Sequence, residues 1–376
     1  MAICLSASAA GAVETLRIAM EETGDRVEVI ARELAFGMDQ EDAEFKPLAR
    51  GRAQVRCLDG GLEIDGKRWE ERAVRFHVVD SVEGDPSPRR YARGERVSDV
   101  DGSSREAIRV GRSRLRGDLV VRAHRNRLQL INVLPLEEYL LGVVGAEMPF
   151  AFPDEALKAQ AVAARTYALK KKLEAVDQPF HLGAGVLHQV YRALGEEDAR
   201  IRAAVDATRG EVLTYELEPI EAYFHASCGG RTEGGQAALS RDLPYLQPVD
   251  CPCGKLGASR WELLLPMAEL SSLWGREIDS LSIAARSETG RARMLAAGPG
   301  RWLDAVDFRQ RVGYGKLKSL WFEIEKLADA IKIKGRGHGH GAGMCQRGAK
   351  ALADSGWSYR QILLHYYPGV EIQQLY

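Results

Sequence analysis

The sequence predicts an α+β protein of mixed helices and short strands, in which a β-rich N-terminal unit is joined to a helix-containing core. The first third alternates apolar and polar residues over short segments, as half-buried strands do. Longer segments with helical periodicity begin at residue 136. Beyond them strands and helices are interspersed, without the regular βαβ alternation of a parallel sheet.

Hairpins and short strands are predicted in the first third of the chain. Residues 16–20 and 27–31 predict one hairpin, and residues 119–123 and 128–133 predict another. Residues 83–105 are rich in Pro, Gly, Ser, Asp and Arg, which is typical of a flexible loop. Further strands are expected at residues 55–58, 62–68, 74–79 and 108–110.

Two successive helices are predicted after this β-rich part. Apolar residues recur over residues 136–144 at the spacing of one helix face, and Pro135 suits the first position of that helix. Gly145 and Pro149 are expected to end the helix and to leave an extended turn after it. A second, alanine-rich helix is expected at residues 153–172, because acidic residues open it and lysines close it.

Short helices and strands are predicted to alternate over the rest of the chain. Helices are expected at residues 196–208, 267–274, 303–311, 346–354 and 359–366. Strands are expected at residues 212–215, 220–224, 261–265, 281–286, 291–295, 321–324, 330–333 and 370–375. The first two of these strands are predicted to form a hairpin.

Composition and charge argue against several classes of protein. The chain has 376 residues, is 45% hydrophobic and 28% charged, and carries 52 Lys and Arg against 53 Asp and Glu. This balance gives no indication of a nucleic-acid-binding protein. No stretch reaches the roughly 18 apolar residues of a transmembrane span. Residues 1–13 are small and apolar with Ala-x-Ala-like spacing, which predicts either a remnant of a secretion signal or a disordered tail.

Glu147 is the candidate general acid. It lies on the predicted turn between the two helices, and its neighbours Ala146, Met148, Phe150 and Phe152 are apolar. A carboxyl group among apolar neighbours tends to have a raised pKa, which general acid catalysis near neutral pH requires. The alternative is a solvated loop residue or a helix cap, and the turn alone does not exclude it.

Three sequence blocks lie around Glu147 or follow it. They are NVLPLEEYL at 132–140 continued by GVVGAEMP at 142–149, ALKAQAVAARTY at 156–167, and GHGHGAGMCQRGA at 337–349. In this order they resemble the stage II sporulation protein D family, whose name also covers amidase enhancers. The resemblance extends over about residues 119–376 and is weaker before them. Together with the strand pattern it predicts a tail at 1–13, a β-rich unit at 14–118 and a catalytic domain at 119–376.

The resemblance implies a lytic transglycosylase that cuts peptidoglycan glycan strands, with Glu147 of the Glu-Met-Pro motif as the catalytic acid. Breaking a glycosidic bond needs a proton on the leaving oxygen. A lytic transglycosylase can use one carboxyl to supply this proton and then to assist attack by the sugar's own 6-hydroxyl, which gives a 1,6-anhydro product without water. The sequence offers one such carboxyl, because Glu137 and Glu138 suit the positive end of the preceding helix.

Further residues in matching segments are expected to contact the substrate. The glycines around His338 and His340 would let a sugar approach the backbone. The alternative is a tightly packed loop whose histidines bind local carbonyls, and a dinucleotide site is disfavoured because no βαβ unit surrounds the glycines. The expected substrate-binding residues are Arg165, Tyr167, Gln189, Tyr191, His338, His340 and Gln346.

A group of cysteines predicts a metal site. His225, Cys228, Cys251 and Cys253 have the spacing of four zinc ligands, and some members of the resembled family bear a metal near this segment. Four protein ligands would make the zinc structural, so that the chemistry would require no cofactor. A disulfide from Cys228 to Cys251 or Cys253 is an alternative, and unpaired buried thiols are another. Cys345 stands where the family pattern has serine.

Three functions remain open from the sequence. The first is a lytic transglycosylase whose partners are peptidoglycan glycan strands and an amidase or another cell-wall enzyme. The second is a non-catalytic cell-wall module that binds glycan and stimulates an amidase. The third is a glycan hydrolase that uses water and a second carboxylate. Because a peptidoglycan substrate requires export, an extracytoplasmic location in the periplasm or cell envelope is expected.

Overall fold

The computed structural model describes residues 14–20, 22–40, 43–79, 107–185, 189, 191, 198–256 and 259–376. The predicted tail at 1–13 and the predicted loop at 83–105 lie outside these residues. The described residues form helices and short strands in several sheets, which confirms the α+β class. Within them, no helix is both long enough and apolar enough to span a membrane.

Two compact units divide the chain. Unit 1 comprises the described residues of Met1–Phe150 and Ala164–Glu211 together with Gln374–Tyr376, and unit 2 comprises those of Ala151–Ala163 and Val212–Gln373. The predicted limit at residues 118 and 119 does not separate these units, because the strand that starts there pairs with strands on both sides of it. The division of the sequence into domains at that limit stays a prediction.

Two sheets make up most of unit 1. Its strands are β1 Thr15–Ala19, β2 Arg26–Ile30, β3 Leu34–Gly37, β4 Lys46–Pro47, β5 Arg52–Leu58, β6 Gly61–Ile64, β7 Lys67–Trp69, β8 Ala73–Val78, β9 Ile108–Val110, β10 Ser113–Leu115, β11 Asp118–His124, β12 Arg127–Pro135 and β13 Leu182–Gly183. One sheet has the order β13-β1-β12-β11-β8-β3-β4, and the other has the order β10-β9-β2-β5-β6-β7. Apolar residues of both sheets, among them Val29, Val55, Phe76 and Val121, are buried in one core.

Of the two hairpins predicted in unit 1, one is confirmed and one is wrong. β11 pairs with β12 in antiparallel register, and Arg125 and Asn126 adopt the positive φ values of 47° and 60° that a tight hairpin turn requires. In contrast, β1 pairs with β12 and β13, whereas β2 pairs with β5 and β9. The alternating pattern of β1 and β2 predicted two strands correctly but could not identify their distant partners.

Helices α1 Leu136–Glu147 and α3 Ala199–Ala207 lie in unit 1, and α2 Asp154–Glu174 continues from unit 2 into unit 1. The predicted end of α1 at Gly145 is wrong, because the helix runs on to Glu147. Gly145 instead allows close packing against α3: a Cβ atom at this position would lie 2.9 Å from Cδ1 of Ile201. Met148 is extended, with φ −125° and ψ 139°, as its position before Pro149 predicts.

Unit 2 contains several small sheets and short helices. Its strands are β14 Glu211–Tyr215, β15 Glu218–Pro219, β16 Phe224–His225, β17 Arg260–Pro266, β18 Ser282–Arg286, β19 Ala292–Ala296, β20 Trp302–Asp304, β21 Phe322–Lys326, β22 Ala330–Arg336, β23 Met344–Cys345 and β24 Glu371–Gln374. The first residue of β14 and the last residue of β24 belong to unit 1. Its helices are α4 Gly235–Leu239, α5 Met267–Trp274, α6 Ala305–Val312, α7 Gln346–Asp354 and α8 Tyr359–Tyr366, with a 3-10 helix at Pro252–Leu256. The sheets have the orders β15-β14-β24, β16-β23, β17-β22-β21 and β18-β19-β20.

The hairpin predicted after residue 212 forms only in part. β14 pairs with β15, with Thr214 opposite Pro219. The predicted second strand does not continue to residue 224, because β16 pairs in parallel with β23 instead, with His225 opposite Cys345. This distant pairing brings the segment after His225 next to the start of α7. The segment that carries Cys228 therefore lies next to Cys345.

Candidate functional site

Glu147 is the last residue of α1, and its side chain is half-buried. Met148, which follows it, is only 1% exposed and donates its backbone N–H to the Val144 carbonyl oxygen at 2.9 Å. Phe150 is 60% exposed. The carboxyl group therefore lies where a firmly packed helix reaches the surface of unit 1, rather than on a separate turn.

Tyr139 supports α1 from within unit 1. Its ring is fully buried, and its hydroxyl donates to Oε1 of Gln189 at 2.9 Å. Gln189 in turn donates from Nε2 to the Ala164 carbonyl oxygen at 3.2 Å. Burial raises the pKa of Tyr139 well above its ordinary value, and the nearby carboxylate of Glu147 contributes to this increase. Gln189, predicted to contact the substrate, is thus a buried residue that fixes the helix.

Tyr191 and Tyr167 are also buried within unit 1. The ring of Tyr191 stacks on Tyr139 with ring centroids 5.2 Å apart, and its hydroxyl donates to Oδ1 of Asn132 at 2.8 Å. Tyr167 is 5% exposed, and the ammonium of Lys171 lies 5.6 Å from its ring centroid. In this structure neither tyrosine offers its ring face to a substrate, so their expected contact with the glycan stays a prediction.

Arg165 is fully buried and makes a two-point ion pair with Glu137. Its Nε and Nη2 donate to the two carboxylate oxygens at 2.8 and 2.7 Å. Nη1 and Nη2 also donate to the carbonyl oxygens of Glu211 and Val205 at 3.2 and 3.3 Å. Glu137 accepts a further bond at 2.7 Å from the Tyr376 hydroxyl. Arg165 therefore connects α1 to α2 and α3 inside unit 1 and has no exposed surface for a substrate.

The glycine-rich loop at residues 337–343 packs tightly against the segment after β16. His338 exchanges two backbone hydrogen bonds with Ser227, at 2.7 and 3.0 Å. Gly339 has a φ of 115°, and a Cβ atom there would lie 2.6 Å from the Cβ atom of His225. Close backbone packing therefore explains this glycine, as the packed-loop alternative predicted.

The two histidines of the loop differ in their surroundings. The Nδ1 atom of His340 accepts the Ala342 N–H at 3.1 Å, so Nε2 carries the proton and donates to the Phe224 carbonyl oxygen at 2.9 Å. Burial lowers the pKa of His340 to about 4, which leaves it neutral at pH 7. His338 keeps an exposed side chain, and partial burial followed by nearby cations such as Arg309 lowers its pKa. Of the two, His338 is available to a ligand.

Gln346 opens α7 and is buried. Its Nε2 donates to Oε1 of Gln160, on α2, at 3.3 Å. The Nε2 atom of Gln160 is itself buried and has no hydrogen-bond partner among the described residues. The predicted contact of Gln346 with substrate is replaced in this structure by a side-chain contact inside unit 2.

Four cysteines converge at the start of α7. The Sγ atoms of Cys228, Cys251, Cys253 and Cys345 all lie within 4.8 Å of one another, and all four residues are buried. His225 lies outside this group, because its Nδ1–H donates to the Ala342 carbonyl oxygen at 3.1 Å. The structure therefore brings three of the four predicted ligands together with Cys345, whereas His225 is not in the cluster. Burial raises the pKa of the Cys345 thiol well above its ordinary value.

The sequence analysis missed the residues whose roles depend on distant contacts. Glu137 was assigned to the helix dipole, whereas it is the partner of Arg165. Cys345 was noticed only as a departure from the family pattern. The sequence held one indication: Cys345 lies in a glycine-rich block, and three other cysteines are grouped elsewhere in the same half of the chain. No spacing rule would have identified it, because 91 residues separate Cys253 from Cys345.

Comparison with known proteins adds independent information. The family described as "Stage II sporulation protein" matches residues 124–215. An uncharacterized protein of Brachyspira hyodysenteriae is 35% identical over 263 residues, which cover 68% of this chain and 71% of that protein. Stage II sporulation protein D of Bacillus subtilis is 33% identical over 272 residues, covering 67% of this chain and 78% of that protein.

A more distant relative has a different name. The amidase enhancer of Bacillus subtilis is 29% identical over 288 residues, which cover 62% of this chain and 40% of that protein. The matched residues 124–215 contain α1 with Glu147 and the Glu137–Arg165 pair. On the coverage and identity of these matches, the chain belongs to the stage II sporulation protein D family.

Proposed function

We propose that this protein is a lytic transglycosylase that cleaves peptidoglycan glycan strands outside the cytoplasm, with Glu147 as its single acid and base. Membership of the family supports a cell-wall related role. The observation that carries the proposed role of Glu147 is the position of its half-buried carboxyl at the end of a helix whose apolar face is buried.

Rigid support is what a catalytic carboxyl needs. General acid catalysis depends on holding the proton within hydrogen-bond reach of the leaving oxygen, so small errors of position lower the rate. Three contacts inside unit 1 hold α1: the Glu137–Arg165 pair, the Tyr139–Gln189 bond and the burial of Met148. They fix the backbone on both sides of the residue while its side chain keeps access to solvent.

An exposed aromatic ring close to Glu147 in the sequence supports a sugar substrate. Phe150 is 60% exposed, three residues after Glu147, and Arg200 donates to its carbonyl oxygen at 2.9 Å, which holds the backbone. Stacking of an apolar sugar face on an exposed aromatic ring removes apolar surface of both from water. We therefore assign Phe150 to contact with a sugar ring next to the cleaved bond.

The proposed reaction conserves protons. Protonated Glu147 gives its proton to the bridging oxygen as the bond from that oxygen to the anomeric carbon breaks. The carboxylate then takes the proton of the 6-hydroxyl of the same sugar as its oxygen bonds to the anomeric carbon. The products are a strand with a free hydroxyl and a strand with a 1,6-anhydro ring, and the glutamic acid is regenerated without water.

Digestion of purified glycan strands, followed by mass spectrometry, tests the proposal. The wild type should release products lighter by one water than those of hydrolysis, and Glu147→Gln should lower the rate roughly 100- to 10,000-fold. Glu138→Gln is the matched control, because Glu138 is a partly exposed glutamate of the same helix, paired with Arg116 at 3.2 Å. It should retain the wild-type rate.

Two results would reject the proposal. Products with ordinary reducing ends would indicate a hydrolase that uses water. Absence of cleavage by a folded wild-type protein, with binding to glycan and faster turnover of an added amidase, would indicate the non-catalytic module, which the name of the amidase enhancer relative makes the second candidate.

A further inference from the structure

The four-cysteine cluster of unit 2 has the geometry of a closed metal site. In a tetrahedral zinc site with Zn–S distances of about 2.3 Å, the sulfur atoms are about 3.8 Å apart. The Sγ atoms of Cys228, Cys251, Cys253 and Cys345 lie within 4.8 Å of one another, and Cys228 and Cys253 are 3.3 Å apart. We propose that these four cysteines bind one zinc ion as thiolates, with Cys345 rather than His225 as the fourth ligand.

Each sulfur atom faces a hydrogen-bond donor. Cys345 Sγ accepts the backbone N–H groups of Cys228 and Gly348, both at 3.3 Å. Cys228 Sγ accepts the N–H of Gly230 at 3.5 Å. Donors of this kind stabilise thiolate charge and orient the ligands of metal sites. Buried thiols that serve only as small apolar side chains do not require them.

The other two sulfur atoms are contacted by hydroxyl groups. Tyr366 lies 3.1 Å from Cys251 Sγ, and the Ser227 hydroxyl donates to Cys253 Sγ at 3.7 Å. Gly348 lies at the same place: a Cβ atom there would collide with Cys251 Sγ and the Tyr366 hydroxyl. A glycine at this position of α7 is therefore needed to let the helix start against the sulfur cluster.

A zinc ion at this place would be structural. Four protein ligands leave no open position for water or substrate, and soft thiolates favour zinc over hard cations. The ion would connect the segment after β16, the 3-10 helix and the start of α7. Cys345 follows the 337–343 loop in the sequence, and Cys228 follows Ser227, which exchanges backbone hydrogen bonds with His338 of that loop. The metal would therefore hold the base of the histidine loop.

This inference does not depend on the proposed glycan cleavage, because metal content is its readout. Elemental analysis of the full chain, purified under reducing conditions, should find about one zinc per chain. Cobalt(II) added to the reduced, metal-free protein should give the sulfur-to-metal absorption and the intense visible bands of a tetrahedral four-thiolate site. Removal of zinc by a chelator should lower the melting temperature and speed hydrogen exchange at residues 337–343.

Variants distinguish the ligand sets. Cys345→Ser should lower bound zinc and change the cobalt spectrum, whereas His225→Gln should leave both unchanged. Cys57→Ser is the matched control, because Cys57 is a buried cysteine of β5 in unit 1. The proposal is wrong if His225→Gln loses the metal as Cys345→Ser does. It is also wrong if the wild type binds neither zinc nor cobalt and peptide mapping without reductant finds a disulfide in the cluster. A third contradicting result is that all four thiols react with a thiol reagent at the same rate with and without added zinc.

Discussion

The guanidinium of Arg165 and the carboxylate of Glu137 form a buried, two-point ion pair, with N–O distances of 2.8 and 2.7 Å. Arg165 lies in a block that resembles the family's sequence, and it was expected to bind substrate. In the structure its hydrogen bonds instead connect α1, the helix that ends in Glu147, to other elements of unit 1. In this structure Arg165 acts on Glu147 only through the helix that carries it.

Removing one member of this pair should destabilise the protein strongly. Arg165→Met leaves the Glu137 carboxylate buried without a charged partner, which typically costs about 3–5 kcal/mol of unfolding free energy. Glu138→Gln removes a partly exposed ion pair with Arg116, and should cost about 0–1 kcal/mol. Urea unfolding at pH 7 measures both values. Unchanged stability of Arg165→Met, together with weaker glycan binding, would restore the substrate-contact interpretation.

The same pair predicts the response to acid. Burial alone would raise the pKa of Glu137, but the hydrogen bonds and charge of Arg165, with Tyr376, outweigh burial and lower it below 4.5. A lowered pKa in the folded state stabilises the protein above the unfolded pKa, near 4.3, and this contribution disappears as the pH falls through the folded pKa. The difference in unfolding free energy between wild type and Glu137→Gln should therefore be constant from neutral pH to about pH 5 and shrink below it.

Urea titrations of both proteins at a series of pH values measure this difference. Arg200→Gln, which changes an exposed contact to the Phe150 carbonyl, is a control that should not change the pH dependence. A difference that stays constant down to pH 2 would mean that Glu137 does not titrate in the folded protein as its contacts predict.

The two histidines of the glycine-rich loop should respond differently to truncation. His340→Ala removes two hydrogen bonds from a half-buried, neutral imidazole and leaves the Phe224 carbonyl oxygen without its donor, which should cost about 1–3 kcal/mol of stability. His338→Ala should leave the melting temperature nearly unchanged, because its exposed side chain is replaced while its backbone bonds to Ser227 remain. If His338 contacts the glycan, the same variant should have a raised KM.

Thermal unfolding and glycan digestion of the two variants measure these effects. A stable His340→Ala protein with lost turnover would assign catalytic work to His340 instead. An equal KM for His338→Ala and wild type would remove His338 from the substrate site.

Local patterns in the sequence were sufficient for several features. The hairpin of β11 and β12 was predicted because two alternating segments are separated by only a few residues, a pattern that depends only on neighbouring residues. The start of α1 at Leu136 follows from local apolar spacing, and the bounds of α7 and α8 from local spacing and capping. The three blocks also carried the family, which the comparisons confirm.

Tertiary structure decided the partners of these elements. The alternation of β1 and β2 indicated strands, but their pairing in different sheets depends on hydrogen bonds to residues more than a hundred positions away for β1. Gly145 has the local character of a helix stop, and the approach of Ile201 gives it another role. Arg165 has the sequence context of a substrate ligand, yet burial and the Glu137 carboxylate make it a structural cation.

The cysteine cluster shows the same division between sequence and structure. The sequence by itself indicated Cys228, Cys251 and Cys253 as members of one candidate site. Only the parallel pairing of β16 with β23 placed Cys345 beside Cys228 and turned His225 toward the Ala342 carbonyl oxygen. Spacing along a chain restricts which ligands a short loop can bring together, whereas ligands on separate strands meet only when the backbone hydrogen bonds of a sheet set their register.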